Sequence, residues 1–174
     1  MTVKTAYLSL GSNQGNREEY LQRALDVLAR ERVRPLRCSA VYETEPQEVR
    51  DQPWFLNLVA EVETGLFPMQ LLSKVLGVER ELGRERGSPK GPRVIDIDIL
   101  FHGRFAIDTP QLVVPHPRLH LRRFVLQPMA DLAPELRHPL LNRSVKELLR
   151  SLEGQAVTRV AFLPRIPGTE PGAE

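Results

Sequence analysis

Residues 89–103 read PKGPRVIDIDILFHG. Val94, Ile95, Ile97 and Ile99 make this the most strand-like segment of the chain, yet Asp96 and Asp98 stand inside it. Side chains alternate along a strand, so the two aspartates share a face with Val94, and Ile95, Ile97 and Ile99 share the other. Their Cα atoms are expected roughly 6.5 Å apart, twice the ~3.3 Å rise. One face can pack under helices while the other holds two like charges. Carboxylates that close resist ionising together unless a cation sits between them. Hard oxygen ligands at this spacing suit Mg²⁺, which takes one or two carboxylates plus substrate phosphates. The plain alternative is a solvated sheet face, and D-x-D alone does not decide between the two.

The loop ahead of the strand adds the opposite charge, with Arg84, Arg86, Lys90 and Arg93 crowded together. They can pair with the aspartates or face phosphates. A polyphosphate held between Mg²⁺ and guanidinium groups accounts for both charge clusters. No G-x-x-x-x-G-K-[ST] and no G-x-G-x-x-G is present, so neither a P-loop nor a dinucleotide fingerprint supplies the phosphate site. A polymerase-like nucleotidyltransferase keeps its Gly-Ser helix start close ahead of its D-x-D; here Gly11-Ser12 lies far from Asp96. An RNA-binding module would want exposed aromatics and a basic sheet face, where this strand offers acids.

Outward from this strand, residues 3–10 read as a first strand, followed by the loop Gly11–Asn16. Asn16 is a good N-cap, with Glu18 and Glu19 suited to a first helical turn and Leu21, Ala24, Leu25 and Leu28 at helical spacing. Pro35 is expected to end that region and Leu36–Tyr42 to form a second strand. A polar loop over 43–53 leads to a third strand, Phe55–Val62. Pro68 opens a second helix whose expected buried stripe is Met69, Leu72, Val75, Leu76 and Leu82, with Gly83 as its stop. Glu79 falls on that stripe and calls for a partner. After the aspartate strand, Gly103-Arg104 suggests a hairpin back through Phe105–Ile107. Residues 115–152 read as irregular and then helical, broken by Pro128, Pro134 and Pro139, before a last strand at Val157–Phe162. The order is βαββαβ with C-terminal additions: an α+β fold, a ferredoxin-like sandwich with helices on one sheet face and the other open to a ligand. The expected organisation is a single domain over 1–163, with a disordered tail over 164–174.

The 174 residues, 41% hydrophobic and 26% charged, suit one globular domain. No apolar run is long enough to span a membrane. The single cysteine, Cys38, excludes an intramolecular disulfide framework, and the N-terminus lacks a signal-peptide pattern, so a cytoplasmic protein is expected. Of 24 basic residues four are lysine, leaving twenty arginines, which suit anionic ligands; genomic composition or heat adaptation explains many of them equally well. No basic run argues for nucleic acid.

Six segments, in order, carry a family resemblance: AYLSLGSNQGN, YETEP, DQPWFLN, VERELGRERG, GPRVIDIDIL and VPHPRLHLRRFVLQP. The segments lie between Ala6 and Pro128, and from residue 5 to about 160 the chain resembles the 6-hydroxymethyl-7,8-dihydropterin pyrophosphokinase (HPPK) family. The resemblance implies a ferredoxin-like fold, ATP as co-substrate and two Mg²⁺ per active site. The acceptor would be the hydroxymethyl group of the reduced pterin, and the by-product AMP, in folate biosynthesis. Asp96 and Asp98 match the metal positions. Phe55 and Phe124 match the aromatic pair around the pterin, a use of two flat rings that also has a plain core alternative. Asn57 matches the amide that reads the pterin edge, and Thr44 a backbone contact there. Arg84, Arg86, Arg93, Ile99, His116 and Arg122 match nucleotide contacts, with Arg84 and Arg93 also catalytic. Glu79 matches a structural position.

The chain departs from the family at three places. Lys90 replaces a frequent aromatic before GPR, Leu76 a frequent glutamine, and Gln47-Glu48-Val49 a loop that often carries glycine. The expected reaction is in-line attack by the hydroxymethyl oxygen on the β-phosphorus, with loops 43–53 and 84–93 closing over the substrates. A monomer is expected, with a weak dimer as the alternative.

Overall fold

The computed structural model describes residues 2–47, 49–84 and 91–168. Strand β1 (Lys4–Ser12) leads into helix α1 (Arg17–Arg30), then β2 (Arg34–Cys38), β3 (Tyr42–Thr44), β4 (Phe55–Thr64), α2 (Pro68–Glu81) and β5 (Asp96–His102). The additions are β6 (Ile107–Asp108), β7 (Val113–Val114), a 3₁₀ turn at Leu119–Leu121, α3 (Arg123–Leu132), α4 (Val145–Arg150) and β8 (Val157–Arg159). The main sheet runs β5-β1-β4-β3-β8, with β2 on β4 beside β3, and its pairings are antiparallel. With β2 and β3 counted as one interrupted strand, β4 separates β1 from the strand that α1 leads to. This is the split βαβ plan of the ferredoxin-like fold.

The first helix forms as its sequence dictates. Asn16 Oδ1 accepts the Glu19 N–H at 3.1 Å, and Leu21, Ala24, Leu25 and Leu28 are buried. In α2, Pro68 takes the first position, and Gly83 follows the helix with φ +91°, a conformation that favours glycine. The stripe expected on α2 holds at Val75 and Leu82 and slips elsewhere, Leu71 and Val78 taking the buried places expected of Leu72 and Leu76. Leu71, Val75, Val78 and Leu82 are buried, while Met69 is 46% exposed. Apolar residues flank this line on both sides, so periodicity finds the helix but not the angle at which it meets the sheet. Glu79 is buried and pairs with Arg84, the partner its position called for.

Three other expectations need correction. The second strand includes Pro35, which an edge strand tolerates, and it breaks after Cys38. At the break Ser39 Oγ accepts the Val59 N–H at 2.9 Å, and the Ser39 N–H donates to the Val59 carbonyl at 2.9 Å. Gly103 does turn the chain, but Ile107–Asp108 pairs with Val113–Val114 rather than back onto β5. Helix α3 runs through Pro128, which lacks only the N–H that would have met the Phe124 carbonyl.

Two apolar clusters flank the sheet. Under α1 and α2 lie Leu8, Leu10, Leu58, Ile95, Ile97 and Ile99, so the isoleucine face of β5 is buried as its alternation predicts. On the other face Tyr7, Val59, Leu100 and Phe101 pack with Leu126, Met129, Val145 and Leu148 of α3 and α4. That face is therefore covered along one half, and only the half nearest Gly11 and Asp96 faces a cavity. Among the described residues no helix is long and apolar enough to cross a membrane. Near the C-terminus, the Arg165 N–H donates to Gln22 Oε1 at 2.8 Å, and Gln22 Nε2 donates to the Arg165 carbonyl at 3.1 Å.

Candidate active site

The uncovered half of the sheet is shaped by one missing side chain. In register, Gly11 of β1 lies between Asn57 of β4 and Asp96 of β5, and Ser9 pairs with Asp98. A Cβ on Gly11 would stand 2.5 Å from Asn57 Oδ1 and 3.5 Å from the Phe55 ring. Glycine there leaves room for the Asn57 and Phe55 side chains. Above them opens a cavity of about 520 Å³, lined by Thr44, Phe55, Asn57, Arg93, Asp96, Asp98, His116, Arg122 and Phe124. Glu45, Pro46, Gln47, Gln52 and Arg118 complete the lining.

Asp96 and Asp98 do share a face, and Asp96 is already engaged by two arginines. Arg84 Nη1 donates to its Oδ1 at 2.9 Å, and Arg93 Nη1 to its Oδ2 at 3.3 Å. Arg84 also pairs with the buried Glu79, so one guanidinium bridges α2 and β5. Burial, and then the neighbouring Asp96 carboxylate, push the Asp98 carboxyl up to about 7, against the pull of Arg122, Arg84 and Arg93. A buried carboxyl raised by desolvation and by a neighbouring carboxylate is what a cation would relieve. Among the described residues no group of three His, Cys, Asp or Glu side chains gathers to hold a metal. Two carboxylates without a third fit Mg²⁺, which retains water and binds substrate phosphates, better than a fully protein-ligated ion.

Asn57 and Thr44 are buried and joined, Asn57 Nδ2 donating to Thr44 Oγ1 at 2.6 Å. Phe55 and Phe124 are half-buried on the cavity, each with a guanidinium over its ring. Arg93 Cζ lies 5.2 Å from the Phe55 centroid and Arg122 Cζ 5.5 Å from that of Phe124. Burial first, then Arg122, push the His116 imidazole down to about 4, so it is neutral at pH 7. Its Nδ1 accepts the Arg118 N–H at 3.2 Å, which leaves the proton on Nε2 as a donor. Burial also pulls the Arg122 guanidinium down, opposed by Asp98.

The structure thus brings together every described residue that the sequence singled out, apart from one. The Ile99 side chain lies in the core beneath the helices, so any nucleotide contact there falls to its main chain. Arg84 reaches Asp96 without lining the cavity. Arg86 and Lys90 lie outside the described residues.

Two supporting residues escaped the sequence reading. Asn13, 2% exposed, donates from Nδ2 to Gln52 Oε1 and the Pro53 carbonyl, both at 2.9 Å, and accepts the Arg93 N–H on Oδ1 at 2.8 Å. Arg17 bonds the Trp54 carbonyl at 3.0 Å and Glu43 at 2.9 Å. An asparagine closing a Gly-Ser-Asn loop at a strand end was the available signal for the first; a surface arginine offers none.

The family model for 7,8-dihydro-6-hydroxymethylpterin-pyrophosphokinase (HPPK) matches residues 7–134. The 2-amino-4-hydroxy-6-hydroxymethyldihydropteridine pyrophosphokinase of Pseudomonas aeruginosa is 40% identical over 159 residues, covering 91% of this chain and 98% of that protein. Its Bacillus subtilis counterpart is 45% identical over 132 residues, 75% of this chain and 79% of that one. The folic acid synthesis protein fol1 of Pneumocystis carinii is 42% identical over 142 residues, 82% of this chain, which spans only 19% of that protein's length. A crystal structure of a Plasmodium falciparum HPPK-DHPS triple mutant superposes with a TM-score of 0.72 at 20% identity, over 86% of this chain and 44% of that one. At that identity the likeness speaks for the fold alone.

Proposed function

The chain belongs to the 7,8-dihydro-6-hydroxymethylpterin-pyrophosphokinase family, and from that premise we propose that it moves the pyrophosphoryl group of ATP onto 6-hydroxymethyl-7,8-dihydropterin in folate biosynthesis. The observation that carries the reading is a convergence. The Asp96 and Asp98 carboxylates, the Phe55 and Phe124 rings, the buried Asn57 amide, and Arg93, His116 and Arg122 all line one cavity on the uncovered half of one sheet face.

In this reading the hydroxymethyl oxygen attacks the β-phosphorus and gives up its proton to Asp96 or to solvent. The bond from the β-phosphorus to the α,β-bridging oxygen breaks, and AMP leaves. Asp96 and Asp98 would hold Mg²⁺, which, when bound, neutralises polyphosphate charge. Phe55 and Phe124 offer apolar surfaces to the pterin ring, and Asn57 a donor and acceptor for its edge. Arg93, Arg84 and Arg122 supply fixed positive charge toward the transferred group and the nucleotide. The neutral His116 donates from Nε2, which lets it bond a phosphate oxygen without adding a charge. Arg86 belongs to the same proposed nucleotide-binding set. A cytoplasmic location, in keeping with the single cysteine, and a monomeric state complete the proposal.

Incubation with ATP, Mg²⁺ and the dihydropterin, followed by nucleotide analysis, tests it. AMP formed in step with a pterin diphosphate is expected. ADP or free pyrophosphate as the nucleotide-derived product would overturn it.

A further inference from the structure

Helix α3 begins without a cap of its own. Arg122 holds the N-cap position but makes no side-chain capping bond; its guanidinium lies over the Phe124 ring and lines the cavity. The first amides of a helix lack an intrahelical acceptor, and the N-cap side chain usually provides one. Here the acceptor arrives from far along the chain. Gln155 Oε1 accepts the Phe124 N–H at 3.1 Å, and the other end of the same amide, Nε2, donates to the Glu45 carbonyl at 3.3 Å. The Ala156 N–H then donates to Glu45 Oε1 at 3.2 Å, and β8 follows at once, with Val157 opposite Thr44. The side chain therefore joins the backbone of one cavity aromatic to the segment Glu45–Gln47, which also lines the cavity.

We propose that Gln155 is a positioning residue for the pterin, setting Phe124 and the 45–47 segment at a fixed separation. The inference rests on the function proposed above. Gln155 lies beyond the residues 7–134 matched by the family model, in the C-terminal addition. With the cap supplied from outside, the N-cap position is free to carry an arginine into the cavity. A neutral amide suits the task because it accepts at one atom and donates at another. Glutamate there would keep the acceptor for Phe124, lose the donor for Glu45 and set a second carboxylate beside it.

The test measures two affinities in the full chain: that of a non-hydrolysable ATP analogue with Mg²⁺, and that of the dihydropterin with the analogue saturating. Gln155→Ala is expected to weaken the pterin about tenfold, the scale of one lost capping bond, and the analogue by no more than about threefold. The analogue changes less because Arg122 keeps the attraction of Asp98. Gln155→Glu should fall between wild type and Gln155→Ala. Because Gln155 acts in part through Phe124, the double variant Gln155→Ala/Phe124→Ala should lose less pterin affinity than the two single losses combined. Equal losses for both ligands, additive losses in the double variant, or an unchanged pterin affinity with only a lower melting temperature would overturn the proposal. If wild type itself ignores the pterin, the proposed function fails instead. Hydrogen exchange at the Phe124 amide still judges the link in that case: faster exchange in Gln155→Ala supports it, and an unchanged rate refutes it.

Discussion

Asn13 and Arg93 bond each other twice across 80 residues of chain: the Arg93 N–H donates to Asn13 Oδ1 at 2.8 Å, and the Asn13 N–H to the Arg93 carbonyl at 3.2 Å. The other end of the Asn13 amide grips Gln52 and Pro53, two residues ahead of Phe55. One buried side chain thus fixes where the proposed catalytic arginine and a pterin-facing ring leave the sheet. Asn13→Ala should cost roughly 1–3 kcal/mol of stability, since it strands buried donors and acceptors. It should also lower kcat more than it raises KM for ATP. Denaturant melts and steady-state kinetics check both, and Asn13→Asp, which keeps the acceptor for Arg93, should recover part of kcat.

Asp96→Ala and Asp98→Ala should each cut Mg²⁺-dependent AMP formation by roughly 10²–10³-fold or more. Their stabilities should part company. Asp96→Ala strips Arg84 and Arg93 of a shared partner, whereas Asp98→Ala relieves an under-compensated carboxylate. Near-wild-type turnover in either variant would remove the metal assignment.

Gly11→Ala tests the convergence from the opposite side. The added methyl would meet Asn57 Oδ1 at 2.5 Å, so the amide must move or the strands must part. Overpacking of this kind costs about 1–3 kcal/mol. The expected signature is weakened pterin binding with ATP binding held nearly constant, read by titration of each ligand.

Phe124→Ala should weaken the pterin far more than ATP. Equal losses would reduce the ring to a piece of the α3–α4 core, against which it partly packs.

Away from the cavity, Tyr7, Arg37 and Glu61 form a cluster with a pH signature. The Arg37 hydrogen bonds hold Glu61 below its usual range, with Tyr7 assisting. A lowered carboxyl contributes stability that is full above the unfolded value, about 4.3, and is lost as pH falls through the folded one. Burial, aided by Glu61, pushes Tyr7 up to about 12, so its contribution is full below about 10 and fades as pH climbs from there. Urea melts of wild type and Glu61→Gln across pH should differ at both ends, the variant losing less stability toward acid and toward alkali, and that difference isolates this cluster from the other titrating groups.

Much of the site was legible because strand alternation is a local rule. Ile95, Asp96, Ile97 and Asp98 needed only their order to be sorted onto two faces, and Asn16 with Glu19 needed only one helical turn. What stayed hidden depends on distant chain. The covering of Tyr7, Val59 and Phe101 by α3 and α4 is a tertiary event, and nothing in β1, β4 or β5 announces it. The same holds for Gln155 at Phe124 and Arg17 at Trp54, and for Ser39, whose hydroxyl bridges a gap in a strand that reads as continuous. The phase of α2 was legible only at Val75 and Leu82, for a different reason, since Met69, Leu72 and Leu76 supply as much apolar character as the line that is buried.

The two arginines on Asp96 give that carboxylate two counterions already in place. Arg93 also lines the cavity, so a polyphosphate drawn there would meet a guanidinium already aimed and would share it with a carboxylate. For that arginine, binding is an exchange of partners around a fixed charge, and the Asp96 pair keeps the place its successor would occupy.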